Sequence, residues 1–184
     1  MTLRVEPLVL PEVVRVTPTV HRDARGAFWE SWRAEEYAAL TADAFVQDNV
    51  AISHRGVLRG LHFQHPGAQA KLVSVVRGRI FDVAVDVRRD SPTFGRWVGA
   101  ELSDENAAQL FIPAGFAHGY LTLSDEAIVA YKCTEYYAPG SEHSLRWDDQ
   151  EVGIEWPIEN PALSPRDAAA AFLKDIDPAE LPRR

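Results

Sequence analysis

Four residues able to move or hold a proton, His62, Lys71, His118 and Tyr131, fall on successive strand-like segments of the chain. His62 closes the run Arg59-Gly-Leu-His62, and His118 closes Pro113-Ala-Gly-Phe-Ala-His118. Removing a proton next to a carbonyl needs such a set: a base to take it, a cation to hold the enolate, and an acid to return a proton. A metal centre is poorly served. The chain has one cysteine, and His62-Phe-Gln-His65 lacks the His-x-His spacing of a metal-binding pair. No Gly-x-Gly-x-x-Gly run is present to cradle a dinucleotide. On its residues the chain reads as a cofactor-free isomerase.

These residues need a scaffold of short strands. Extended segments are expected at Val13–Val16, Ala27–Trp32, Phe45–Ser53, Val57–Phe63 and Lys71–Val76. The last turns at Arg77-Gly78 into Ile80–Val87, where strict alternation sets Asp82, Ala84 and Asp86 against Val83, Val85 and Val87. Further strands fit Gly95–Leu102, Gln109–Ile112, Gly119–Leu123, Ala127–Tyr136, Ser144–Trp147 and Val152–Trp156. Short helices fit Ala34–Leu40 and, with a capped start, Ser164–Leu173. About ten short strands divided by Gly, Pro, Asn and Asp point to an all-β sandwich or barrel. With no repeat, low-complexity stretch or linker, residues 1–184 are expected to form one domain.

Composition limits the function classes. The chain has 184 residues, 46% of them hydrophobic and 25% charged, enough for a real core and unlike a disordered segment. A net charge of −8 argues against general nucleic-acid binding. No apolar run reaches bilayer length, and Met1-Thr-Leu-Arg-Val-Glu-Pro7 lacks signal-peptide form, so no membrane role is expected. The lone Cys133 suits a reducing cytoplasm. Lysine is scarce: of 19 basic residues only Lys71, Lys132 and Lys174 are not arginine, and one of the three lies in the signature region.

The ordered motifs resemble a known family. They include Asp23-Ala-Arg25-Gly26-Ala-Phe28-Trp-Glu30, Gln47-Asp-Asn49, Gly56-Val-Leu-Arg59-Gly-Leu-His62-Phe-Gln64, Lys71-Leu72 and Asp86-Val-Arg88. Ser91-Pro-Thr-Phe-Gly95, Ile112-Pro-Ala-Gly-Phe-Ala-His118-Gly, Tyr131-Lys, Tyr137-Ala-Pro139 and Leu163-Ser-Pro-Arg166-Asp167 continue the order. From about Thr17 to Phe172 the chain resembles the dTDP-4-dehydrorhamnose 3,5-epimerases, deoxysugar enzymes of the cupin (jelly-roll) superfamily. A lone Pro-x-Gly-x-x-His marks cupins of every function. Arg-Gly-Leu-His-Phe-Gln and Gly-Phe-Ala-His-Gly are the diagnostic pieces.

The resemblance implies roles residue by residue. His62 would remove the proton, with Asp167 orienting it. Read alone, Ser164-x-x-Asp167 is a helix-capping start, and the two roles are compatible. Lys71 would face the developing enolate oxygen, and Tyr131 would deliver a proton from the opposite side. His118 would contact the substrate, held by Asp82. Arg25, Arg59 and Arg166 would meet phosphate oxygens. Glu30, Gln47, Asn49 and Glu142 would bind the thymidine diphosphate and sugar hydroxyls, and Tyr137 would stack on thymine. Taken singly, each of the four proposed chemical groups is also an ordinary strand or helix-end residue.

The implied reaction inverts C3 and C5 of dTDP-4-keto-6-deoxyglucose, both flanking the ketone, through an enolate and without cofactor or metal. Inversion of one centre only is the alternative within the family. Outside it stand a metal-dependent cupin enzyme, opposed by the Lys71 cation, and a non-catalytic sugar-nucleotide-binding jelly roll. The family further implies a strand-exchanging homodimer, to which apolar segments such as Ala27–Trp32 on potential edge strands are suited.

Overall fold

Alternating apolar and polar residues over short runs give strands that bury one face, and most of this chain is built from them. A computed structural model describes residues 3–184. The first strands are β1 (Arg4–Pro7), β2 (Val14–Thr17), β3 (His21–Asp23) and β4 (Gly26–Phe28), followed by a single turn of helix, α1 (Ala34–Tyr37). Next come β5 (Gln47–His54), β6 (Leu58–Gln64), β7 (Lys71–Arg77), β8 (Arg79–Asp86) and β9 (Trp97–Ser103). The series ends with β10 (Gln109–Ile112), β11 (Phe116–Thr122), β12 (Glu126–Cys133), β13 (Glu142–Ser144) and a one-turn helix, α2 (Pro165–Ala168).

Two antiparallel sheets face each other. One runs β1-β2-β10-β7-β12-β5, the other β13-β6-β11-β8-β9, and β3 pairs with β4 as a separate hairpin. From β5 to β8 the chain changes sheets at each step, so neighbours in sequence face each other across the core. The β7–β8 turn falls at Gly78, with φ of +85°. There a Cβ would come within 2.2 Å of the Glu126 carbonyl oxygen.

Packing follows the alternation. Between the sheets, Val73, Val75, Leu110, Ile112 and Val129 meet Ile80, Ala84 and Leu102. Val83, Val85 and Val87 point the other way and are 0% exposed, because Leu145, Val152, Leu173, Ile176 and Leu181 cover them. Each buried valine contributes about 1.5–3 kcal/mol, so the five-stranded sheet gains a second core from the C-terminal segment. Residues Trp32, Tyr37, Leu40 and Phe45 similarly cover Val16, Leu72 and Phe111 on the back of the six-stranded sheet.

Several expected boundaries move. The extended segment at Ala27–Trp32 pairs only as far as Phe28, the helix over Ala34–Leu40 closes at Tyr37, and β1 and β3 are additional strands. Val152–Trp156 is not a strand. Buried Asp149 accepts from the Glu151 and Val152 amides at 2.9 and 3.3 Å, drawing these donors into a turn. The C-terminal helix stops at Ala168, because Ala171 instead accepts from the Arg146 amide at 2.8 Å and bridges to Leu145. No helix among the described residues is long and apolar enough to cross a membrane.

Candidate active site

The inward rows of the two sheets open on a cavity of about 460 Å³, a size suited to a small-molecule ligand. Gln47, Asn49 and Ala51 line it from β5, Lys71 from β7, and Tyr131 and Cys133 from β12. Period two puts these side chains on one face, and the register aligns them: Tyr131 lies opposite Asn49, and Cys133 opposite both Gln47 and Lys71. The facing wall carries Arg59 and His62 from β6, His118 and Tyr120 from β11, and Glu142 from β13. Tyr137, Ser164, Arg166 and Asp167 complete the rim.

Two glycines let the histidines meet. His62 pairs with His118 across β6 and β11. A Cβ on Gly60 would stand 2.6 Å from the Gly119 Cα, and one on Gly119 would stand 2.7 Å from the Arg59 carbonyl oxygen. The glycines of Arg-Gly-Leu-His and Ala-His-Gly therefore face each other where the strands approach closely.

Each histidine has its own aspartate. His62 Nε2 lies 2.6 Å from Asp167 Oδ1, and His118 Nε2 lies 2.7 Å from Asp82 Oδ1. The His62 side chain is 27% exposed and that of Asp167 only 5%, so the imidazole is the more accessible member of the pair. Burial pushes the Asp167 carboxyl up. The hydrogen bond and charge of His62, with hydrogen bonds from Ser164 and the Gly60 amide, outweigh burial and leave it below the usual carboxylate range. An ionised carboxylate only accepts, so His62 Nε2 is the donor in this pair, and Nδ1 is the ring nitrogen that Asp167 does not engage. Asp167 also donates its amide to Ser164 Oγ at 3.1 Å. Helix capping and contact with His62 coexist.

Lys71 is 9% exposed, and Nζ has no hydrogen-bond or ion-pair partner among the described residues. Burial pushes its pKa below the ordinary lysine value, against the pull of Cys133, Glu142 and Asp82. Such a cation, buried without a partner, destabilises the fold. A lowered folded pKa means the cost is present below that pKa and relieved as pH rises toward the unfolded value. Lys71→Met is expected to raise Tm at neutral pH, abolish activity and remove that rise of stability with alkaline pH. Thermal melts of both proteins across neutral to alkaline pH check this, and a lower Tm for the variant would refute it.

Burial also pushes up the phenols of Tyr131 and Tyr120 and the Cys133 thiol. For Tyr120 the Ser53 hydrogen bond and the Arg59 charge oppose that rise. At the rim, Tyr137 donates to Glu142 Oε2 at 2.7 Å, and Arg166 pairs with the same carboxylate. Among the described residues no three His, Cys, Asp or Glu side chains converge as a metal site.

The model of the dTDP-4-dehydrorhamnose 3,5-epimerases matches residues 7–175. The chain belongs to the dTDP-4-dehydrorhamnose 3,5-epimerase family. It is 52% identical to the enzyme of that name from Salmonella typhimurium over 168 residues, 89% of this chain and 92% of the relative. The structure superposes with a TM-score of 0.97 on the 3,5-epimerase of Legionella pneumophila in complex with dTDP-4-keto-L-rhamnose, at 49% identity over 100% and 99% of the two chains. The 3'-monoepimerase ChmJ of Streptomyces bikiniensis, in complex with dTDP-quinovose, gives 0.90 at 39% identity over 97% and 92%. The fold is thus the expected all-β cupin-type jelly roll with short helices.

Within this epimerase fold, eleven of the thirteen residues singled out in the sequence line one cavity: Gln47, Asn49, Arg59, His62, Lys71, His118, Tyr131, Tyr137, Glu142, Arg166 and Asp167. Arg25 and Glu30 do not. Arg25 pairs with Asp23 at 2.6 Å at the tip of the β3–β4 hairpin, and Glu30 pairs with Arg33 at 2.6 Å. Tyr120, Cys133, Ala51 and Gln69 line the cavity without having stood out. The alternation that exposes Lys71 and Tyr131 to it would also have placed Cys133, two residues after Tyr131.

Proposed function

We propose that this epimerase works with His62 as base, Tyr131 as acid and Lys71 as the cation that holds the enolate. The observation that carries this is their placement. The His62–Asp167 pair belongs to the five-stranded sheet and its flank, whereas Lys71 and Tyr131 belong to the six-stranded sheet opposite. A sugar ring between the sheets meets the base on one face and the acid on the other. His62 takes the proton from the carbon beside the C4 ketone, and the electron pair moves onto the C4 oxygen as an enolate. Lys71, unpaired in the cavity wall among the described residues, stabilises that charge. Tyr131 then protonates the carbon from the opposite face, inverting it; its phenolate regains a proton from solvent, and the His62 imidazolium gives one up to solvent.

The activity is epimerisation at C3 and C5 of dTDP-4-keto-6-deoxyglucose, giving dTDP-4-keto-L-rhamnose in dTDP-rhamnose biosynthesis. Inversion of both centres is favoured over one by the 52% and 49% identities to 3,5-epimerases against 39% to the 3'-monoepimerase. Arg59 and Arg166 would bind the diphosphate, Gln47, Asn49 and Glu142 the remaining polar groups, His118 the sugar, and Tyr137 the thymine face. The reaction as written needs neither metal nor redox cofactor. Incubation in D2O with the next reductase present, read by NMR, tests the reading. Deuterium at both C3 and C5 with inverted configuration is expected, and deuterium at one centre only would establish a monoepimerase.

The same reading includes a two-fold homodimer in the cytoplasm, with Arg25 and Glu30 serving the neighbour's cavity. Three features support the dimer. The β3–β4 hairpin joins neither large sheet. Phe28 upon it is 68% exposed. The outer face of the six-stranded sheet leaves Val50, Ile52 and Val76 at 69%, 57% and 56% exposure, an apolar patch of the sort that marks an interface. A dimer by light scattering at micromolar concentration is expected. A fully active monomer would defeat it.

A further inference from the structure

We propose that Ser53 is a positioning residue that aims the Arg59 guanidinium into the cavity while leaving its charge uncompensated. The inference rests on the reading of Arg59 as a ligand of the substrate diphosphate, and extends it to a residue outside the cavity lining. Ser53 continues the inward row Gln47, Asn49, Ala51 of β5 and is 2% exposed. Its Oγ accepts from Arg59 Nε at 2.8 Å and lies 3.2 Å from the phenol oxygen of Tyr120. The neighbouring Ile52 carbonyl accepts from Arg59 Nη2 at 3.2 Å. Ser53 thus joins β5 of one sheet to β6 and β11 of the other.

The chemistry of the acceptors gives this contact its meaning. Arg25, Arg33, Arg55, Arg88 and Arg166 each rest against a carboxylate. Arg59 has no carboxylate within ion-pair distance among the described residues, and both of its acceptors are neutral. A carboxylate would also fix the guanidinium, but it would cancel the charge that an incoming diphosphate needs. A hydroxyl and a carbonyl fix direction and leave the charge intact. Serine has one O–H and two lone pairs, enough to serve Arg59 and Tyr120 together. Alanine at position 53 removes both contacts, strands the buried Tyr120 hydroxyl and frees the long arginine side chain to sample its rotamers.

The test measures dTDP affinity by calorimetry and steady-state kinetics with the dTDP-keto sugar. Ser53→Ala is expected to raise Kd for dTDP and KM roughly ten-fold, with kcat within about two-fold. Ser53→Thr, which keeps the hydroxyl on a strand-favouring side chain, is expected to bind like the wild type. Tyr120→Phe, which removes the phenol's contacts with Ser53 and Arg59, is expected to give a smaller loss, and Ser53→Cys replaces Ser53→Ala in the cycle if that variant fails to fold. In an Arg59→Ala background the second substitution is expected to cost nothing further, because the serine acts through the arginine. Additive losses in this cycle, or an unchanged Kd in Ser53→Ala, would overturn the proposal. Arg59→Ala binding dTDP like the wild type would instead remove the diphosphate reading beneath it.

Discussion

His62→Ala is expected to abolish detectable epimerisation while leaving dTDP binding within a few-fold of the wild type. A positioned general base typically contributes roughly 10²–10⁴-fold, and His118, the partner of His62 across the strands, is the less accessible imidazole, its side chain 8% exposed against 27%. Binding survives because the groups proposed for the nucleotide, Arg59, Arg166 and Tyr137, are held by contacts that do not pass through His62. Asp167→Asn is expected to cost less than His62→Ala. The imidazole remains, but it loses the acceptor that fixes its Nε2 proton and steadies the imidazolium formed in the reaction. Rates of both variants, set beside their melting temperatures, check the pair. Near-normal turnover in His62→Ala would assign the base elsewhere, and a fall in Tm without a fall in rate in Asp167→Asn would leave that carboxylate with helix capping alone.

Tyr131→Phe separates proton removal from proton return. The base remains, so the enolate still forms, but its far face loses the acid. Reprotonation then falls mainly to the histidine that took the proton, on the original face. In D2O the variant is expected to exchange hydrogen for deuterium at C3 or C5 faster than it inverts configuration there, whereas the wild type couples the two. The hydroxyl has no hydrogen-bond partner among the described residues, so its removal leaves no neighbour unsatisfied, and the ring keeps its packing against the central core. Folding and dTDP affinity are expected to change little. NMR of recovered substrate and product gives both rates in one experiment. Inversion keeping pace with exchange would assign the acid to another group, with His118 or a bound water next in line.

Much of the scaffold was legible in the sequence because alternation and glycine turns act locally. The run Asp82–Val87 sorted its two faces correctly, with Ala84 in the central core and Val83, Val85 and Val87 on the opposite side. Where a distant group decided the matter, local pattern failed. Val152, Ile154 and Trp156 alternate like a strand, and they do pack on the second core. Asp149, however, captures the amides of Glu151 and Val152, and its other oxygen holds the Leu173 amide at 2.7 Å. The alanine-rich Ala168–Ala171 favours helix, yet docking beside Leu145 outweighs a preference of a few tenths of a kcal/mol per residue. The strand expected at Gly119–Leu123 begins earlier, at Phe116, and takes in His118, because Gly119 is a site of close strand approach and not a strand start.

The site was legible where residue type was unusual for its setting. A lysine beside an apolar strand and a histidine after Arg-Gly-Leu stand out. Tyr120 and Cys133 do not, since either is at home in a sheet: Cys133 is found only by alternation from Tyr131, and Tyr120 only once β11 is paired with β6 and β8. Ser53 is quieter still. Its importance comes from a contact with Arg59 six residues away and another with Tyr120 on the facing sheet, neither of which a strand pattern encodes.

The second core has a consequence for how the catalyst comes into being. The residues that cover Val83, Val85 and Val87 run from Leu145 to Leu181, and Asp167, which steadies His62, travels on the same stretch. On the ribosome, the strands bearing the imidazole, the ammonium and the phenol all emerge before this tail. A nascent chain can therefore hold every group that touches the sugar and still lack the carboxylate that sets the imidazole's proton. On the proposed roles, the docking that seals the back of the sheet also brings the base its orienting carboxylate, and both come with the last tenth of the sequence.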